Sequence, residues 1–280
     1  MAILKFADRL LLAAVVCLTN FGPFITAAMA TDPPQVIVYK AGALAKAGKV
    51  SDAMALVDSG LQRFAGNDLL LAEKALLYVF SDDQKNARKY IALALDRPKP
   101  SADAFDVCLD CLEELDDAEG QYKVVTKALK LVASDNRLNL KAGILLRERG
   151  DFQEAERLIR ASCSSFPATL GAWEELLKVD CHLEHWKALV TDCLAMEKYC
   201  ADKPVYKKRL PYARCLAMKV AALLKLKQPK EALTAVNTAI AISPLDRRLF
   251  MQRLEINKAL NNKAACAADE AKIKSFNDMY

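Results

Sequence analysis

Two short segments gather the side chains with the most reactive chemistry. Cys108-Leu109-Asp110-Cys111 has the spacing of a dithiol redox couple or of a pair of thiolate metal ligands. A redox couple of that kind sits at a helix start, usually within a βαβ pattern, where the helix dipole lowers the thiol pKa. Here the pair falls inside a segment that reads as helix and is flanked by acids, which disfavour a thiolate. No histidine follows the second cysteine, so the haem-attachment motif is absent. The expectation is a pair of core thiols; a structural disulfide to another helix comes second, and redox or metal chemistry last. The second segment, Asp180-Cys181-His182-Leu183-Glu184-His185-Trp186, holds both histidines of the chain. Histidines at i and i+3 of a helix can share a metal, but this segment reads as the turn between two helices. Surface or packing histidines are expected there, with no metal or cofactor assigned. No Gly-rich phosphate loop, HExxH run or GxSxG elbow occurs, and nothing singles out a catalytic carboxylate pair. The side chains read as those of a binding protein, not of an enzyme.

The elements that carry these residues are helical by composition. Aromatics make up 7% of the 280 residues, Gly and Pro are few, and Ala, Leu and Lys abound, which favours helix over strand. The length suffices for a sizeable core. The net charge of +5 is spread along the chain without a long basic block, so no nucleic-acid partner is indicated.

Residues 1–30 differ from the rest. Lys5 and Arg9 precede an apolar run over residues 10–18, followed by the breakers Asn20, Gly22 and Pro23 and by Ala28-Met29-Ala30. A basic start, a short apolar core and a small-x-small site make a secretory signal peptide, so residues 31–280 are expected to form the mature, exported chain, periplasmic or secreted. Membrane contact is expected only through an uncleaved signal segment. Eight cysteines follow: Cys108, Cys111, Cys163, Cys181, Cys193, Cys200, Cys215 and Cys266. An even number in an exported chain permits disulfides, and one or two are expected beside several buried free thiols.

An internal repeat dominates the sequence. A matching apolar pattern recurs at Ala53, Ala87, Gln121, Ala155 and Leu189, each 34 residues after the last, and resumes at Ala232 and Cys266, again 34 apart. A second column holds Gly60, Ala94, Ala128, Ser162, Met196 and Ala239. The clearest units are AGILLRERGDFQEAERLIRASCSSFP, residues 142–167, and VAALLKLKQPKEALTAVNTAIAISP, residues 220–244. Both resemble the tetratricopeptide repeat. In that resemblance Gly143 and Ala155 stand where two helices cross, Gly150 and Asp151 form the turn, and Leu146, Phe152, Ile159 and Pro167 fill other signature positions. Near the amino end, Gly48, Val50 and Ala53 repeat the turn. About seven units are covered, with Gln121, Leu189 and Cys266 departing from the small crossing residue. The stretch 197–212, with Pro204, Pro211 and the basic Lys207, Lys208 and Arg209, reads as an irregular insertion: a lengthened helix, a loop and a restart near Ala213.

The resemblance implies an all-α fold, a right-handed α-solenoid of antiparallel helix pairs, with a concave groove lined by first helices. Carried onto this sequence, the groove positions are Leu69, Ala72, Leu76, Val79 and Phe80, then Asp103, Asp106, Asp110, Glu113 and Glu114, then Arg137, Leu140, Ile144 and Arg147, followed by Glu148. A fifth unit adds Glu174, Lys178, Cys181 and His182. An apolar strip beside five acids would suit a peptide with apolar and basic side chains, and charge reversal at Asp106 and Asp110 is expected to weaken capture without lowering the melting temperature. The implied function is that of a scaffold or adaptor holding a peptide or helix of another protein, in the assembly of an envelope or secretion complex. A self-associating structural subunit is the alternative, and a redox or metal protein a third reading. Partner identity and oligomeric state are not encoded in any motif.

Overall fold

The structure, a computed structural model, describes residues 32–132, 134–165, 170–201, 204–207 and 209–277. The expected signal segment, Pro167, Lys208 and the last three residues lie outside the described residues. The chain divides into two compact units, residues 1–138 and 139–280. Each unit is a stack of antiparallel helix pairs.

In the first unit α1 (Pro34–Lys46) pairs with α2 (Val50–Arg63), α3 (Asp68–Phe80) with α4 (Gln84–Leu95), and α5 (Ala102–Glu114) with α6 (Ala118–Leu131). The unit boundary falls inside α7 (Asn136–Glu148). In the second unit α8 (Phe152–Ser165) follows α7, α9 (Leu170–His182) pairs with α10 (Trp186–Cys200), α12 (Leu210–Lys225) with α13 (Pro229–Ile242), and α14 (Arg247–Ala259) with α15 (Lys263–Asn277). The single turn α11 (Pro204–Lys207) lies in the expected insertion, and the following helix restarts at Leu210 with Pro211 in its first turn, where a missing N–H costs nothing. The described residues thus contain seven helix pairs and no strand.

The turn inside each pair explains why the helices fold back. Of the eight described residues with left-handed φ, all but Gly66 stand at one place in each turn: Gly48, Asp82, Asp116, Gly150 and Glu184 at intervals of 34, then Lys227 and Asn261. In every turn the next N–H reaches back five residues to close the first helix. Lys49, Asp83, Asp117, Asp151, His185 and Asn262 donate at 2.9 Å to the carbonyls of Leu44, Tyr78, Leu112, Leu146, Asp180 and Asn257, and Gln228 donates at 2.8 Å to that of Leu223. This is the Schellman closure. The residue that donates this bond also stands at the N-cap of the second helix. Asp83 and Asp117 accept there from Asn86 N and Gly120 N at 3.0 and 2.8 Å.

Packing within pairs needs the small residues of the repeat. Ala53, Ala87, Ala155 and Ala232 are fully buried. A Cβ on Gly143 would overlap Ile159 and stand 3.1 Å from the Ala155 carbonyl, so only glycine allows that crossing. Leu189 replaces the small residue in its repeat and is still wholly buried, whereas Gln121 and Cys266 are half-buried. In the first unit Ile37, Ala41, Ala53, Leu56, Val57, Leu70 and Leu77 form one core cluster. In the second, Leu176, Leu177, Met196, Leu216 and Val220 are buried between pairs. Polar bonds repeat with the helices: Arg63 and Arg97, 34 residues apart, each donate at 3.2 Å to a carbonyl just ahead of the first helix of the same pair, of Asp32 and Gly66.

Candidate binding site

In the second unit the first helices α9, α12 and α14 lie side by side and enclose a pocket of about 450 Å³. Its apolar wall comes from α12, with Ala213, Ala217, Met218 and Ala221 on one stripe, and from Leu249 of α14. Small side chains at this spacing leave room that larger ones would fill. Polar groups ring the opening. Glu174 of α9 is buried and accepts from Arg214 Nη2 at 2.8 Å, with Lys178 Nζ at 3.4 Å. Asp246, the N-cap of α14, takes Arg248 Nε and Nη2 at 3.0 and 2.9 Å, and that guanidinium holds its carboxyl below the usual range. Gln252 donates through Nε2 to the Ala217 carbonyl at 3.1 Å, and its buried Oε1 has no donor. The pocket therefore offers an apolar floor, three cations, two carboxylates and one unmatched acceptor.

Three of the four residues predicted for this repeat, Glu174, Lys178 and Cys181, line the pocket. His182 does not; it stacks on Phe152 with ring centroids 3.6 Å apart. The contributions of α12 and α14 were not foreseen. The restart at Leu210 shifts the register, and the signal that would have found them is the Ala213–Ala217–Ala221 stripe.

The positions expected to line a groove in the first unit fare differently. Leu69, Ala72 and Leu76 are buried, because α3 packs directly against α1 and α5 and these side chains fill the seams between them. Val79 is half-buried and Phe80 exposed. Asp103 pairs with Arg137 at 2.6 Å, so the two predicted residues neutralise each other. Asp106 is buried, Asp110 is half-buried, and Glu113 and Glu114 are exposed. Reversing the charge of Asp106 would therefore cost stability, contrary to the expectation that the melting temperature would hold. In the second unit, Leu140 and Ile144 are half-buried and Arg147 pairs with Glu175 at 3.1 Å and with Glu148 at 3.3 Å.

No disulfide joins any of the eight described cysteines, so the expected one or two are not formed. Six are buried, and burial raises the thiol pKa of four of them, Cys108, Cys163 and Cys215 to about 12 and Cys193 likewise upward. Cys108 and Cys111 sit in the middle of α5, both at 0% exposure, the placement of packing groups.

The Asp180–Trp186 segment forms the α9–α10 turn, and it brings together residues that are far apart in sequence. Asp180 is fully buried and accepts from Arg160 Nη2 at 3.2 Å. Arg160 also bonds Glu156 at 2.8 Å and Asp192 at 2.8 and 2.7 Å, and His185 Nδ1 lies 3.2 Å from Glu156 Oε2. Burial, and then the adjacent Asp192 carboxyl, push Asp180 up to about 8. No helix among the described residues is long and apolar enough to cross a membrane.

No protein-family model matches the chain, and no curated protein matches it by sequence. Solved structures are similar in fold. The C-terminal part of a TPR repeat-containing protein from Cytophaga hutchinsonii superposes with a TM-score of 0.59 at 15% identity, covering 87% of this chain and 96% of that one. PilF of Pseudomonas aeruginosa gives 0.53 at 15% identity over 76% of this chain and 93% of its own. MamA gives 0.53 at 15% identity over 61% and 95%.

Proposed function

We propose that this chain, which has the tetratricopeptide-repeat fold, is a scaffold that seats a segment of another protein in the pocket between α9, α12 and α14. The observation that carries the reading is the union of an apolar floor of small residues with the unmatched Gln252 Oε1 in one concavity. An unpaired buried acceptor costs about 1–3 kcal/mol, and a backbone N–H of an inserted segment would recover much of it. The ionised groups at the rim are already paired with one another, an arrangement suited to positioning a ligand. Three cations against two carboxylates favour a segment that brings an acidic group beside its apolar side chains. Export to the periplasm or outside the cell, and a role in assembling an envelope or secretion complex, belong to the same proposal. They rest on the signal-like residues 1–30.

The test is photo-crosslinking in the native compartment from a reactive residue placed at Met218, with the same residue at Lys230 of α13 as control. A discrete protein adduct from position 218 and none from position 230 is expected. Equal labelling from both positions, or adducts only to a second copy of this chain, would overturn the adaptor reading; the latter result would favour the self-associating subunit.

A further inference from the structure

The repeat itself marks one site as anomalous. The residue whose carbonyl closes each helix turn is Leu44, Tyr78, Leu112, Leu146 and Leu223 in five repeats, but Asp180 and Asn257 in the other two. The Asn257 case is chemically complete. Its amide donates to Asp269 Oδ2 at 2.9 Å, while Arg253 Nε and Nη2 donate to Asp269 Oδ1 at 2.9 and 2.6 Å. One cation, one carboxylate and one amide satisfy each other.

At the corresponding place in the fifth repeat the amide is replaced by a carboxyl. Asp192 occupies on α10 the place Asp269 holds on α15, so Asp180 faces a second acid where Asn257 faces a partner. Asp180 has 0% exposure, yet its Oδ2 has no donor within reach. Three carboxylates, of Glu156, Asp180 and Asp192, share the single guanidinium of Arg160. Fully ionised, the three would leave two negative charges, and burial together with the neighbouring Asp192 carboxyl is why Asp180 keeps its proton up to about 8. Beside them stands His185, its main chain fixed by the 2.9 Å turn bond to the Asp180 carbonyl. Glu156, Asp180 and His185 each offer a ligand atom, and these three atoms lie within 4.8 Å of one another.

We propose that Glu156, Asp180 and His185 form a binding site for a divalent transition-metal ion. One imidazole nitrogen and two carboxylates make a donor set suited to zinc and its neighbours, whereas calcium and magnesium take oxygen alone. A divalent ion would displace the proton of Asp180 and offset the charge that the ionised carboxylates carry beyond Arg160, and it supplies the partner that the buried Asp180 oxygen lacks. The site is reachable: the His185 side chain is 49% exposed and that of Arg160 38%. Metal binding would displace Arg160 Nη2 from Glu156 and Asp180, while the two bonds to Asp192 are made by the other terminal nitrogen, Nη1. A bound ion would join α8 of one pair to α9 and the start of α10 of the next, stapling two repeats. Three protein ligands leave coordination positions open to water.

Cobalt(II) titration of the reduced full-length chain, followed by visible absorption, tests this. One equivalent is expected to give weak ligand-field bands of a nitrogen–oxygen site, without the intense charge-transfer absorption of a cobalt thiolate. His185→Gln, at a half-exposed position, should lower the affinity at least about tenfold. Asp180→Asn, which copies the satisfied Asn257 arrangement, should also lose cobalt while melting no lower than the metal-free parent. Absence of ligand-field bands, thiolate charge transfer, or binding that survives both substitutions would overturn the site.

Discussion

Glu73 offers a direct measure of what burial costs in this fold. It lies in α3 with 3% exposure, its Oε1 against Gly42 of α1, and burial raises its pKa from the ordinary 4.5 to about 7. Between those two values the folded chain holds a proton that the unfolded chain has released, so stability falls as pH rises through the interval. Above about pH 7 the full cost of the buried charge is present. A shift of roughly 2.5 units at about 1.4 kcal/mol each amounts to about 3 kcal/mol. Glu73→Gln keeps the shape and removes the charge. Urea unfolding of both chains is expected to give similar stability near about pH 4 and a glutamine variant more stable by about 3 kcal/mol near about pH 8. Local hydrogen exchange in α3 should report the same difference if the two units unfold separately. Parallel pH profiles for the two chains would refute the reasoning, since every other titrating group is common to both.

Three further outcomes follow from the turns, a helix crossing and the last repeat. Lys227 carries left-handed φ without being glycine, so Lys227→Gly should raise stability by up to about 1 kcal/mol, while Gly150→Ala should lower it by about as much. Both are read by thermal melting. Gly143→Ala forces a methyl against Ile159 and the Ala155 backbone and should cost about 1–3 kcal/mol in denaturant unfolding. Asp269→Ala strands the Asn257 amide and Arg253, and at 1% exposure its loss should cost about 3 kcal/mol, with exchange in α14 and α15 rising first.

The helix pairs were legible because small crossing residues must recur at the period of the fold, and Ala53, Ala87, Ala155 and Ala232 do so. The turns were legible only at Gly48 and Gly150. Elsewhere the Schellman closure imposes left-handed φ on Asp82, Asp116, Glu184, Lys227 and Asn261, whose side chains do not announce it. Among the groove positions expected in the first unit, three apolar ones are buried, because an apolar first-helix position can either line a channel or seal a seam. Sequence pattern does not distinguish the two, and Leu69, Ala72 and Leu76 seal. The Asp180 cluster was hidden by distance along the chain, since Glu156 and Asp192 lie in different helices. Aligning the turns would have exposed it as an acid in a column where four of the seven residues are leucine.

The linkers joining one pair to the next have a different character from the turns within pairs. Every hairpin is closed by three residues, whereas the segment after α10 accommodates α11 and lengthens the spacing between turn residues from 34 to 43. Length can therefore vary at the seams between modules but not at their tips. A foreign segment spliced between α10 and α12 would enter a place already adapted to extra chain, whereas one spliced into a hairpin would have to dismantle a closure that all seven share.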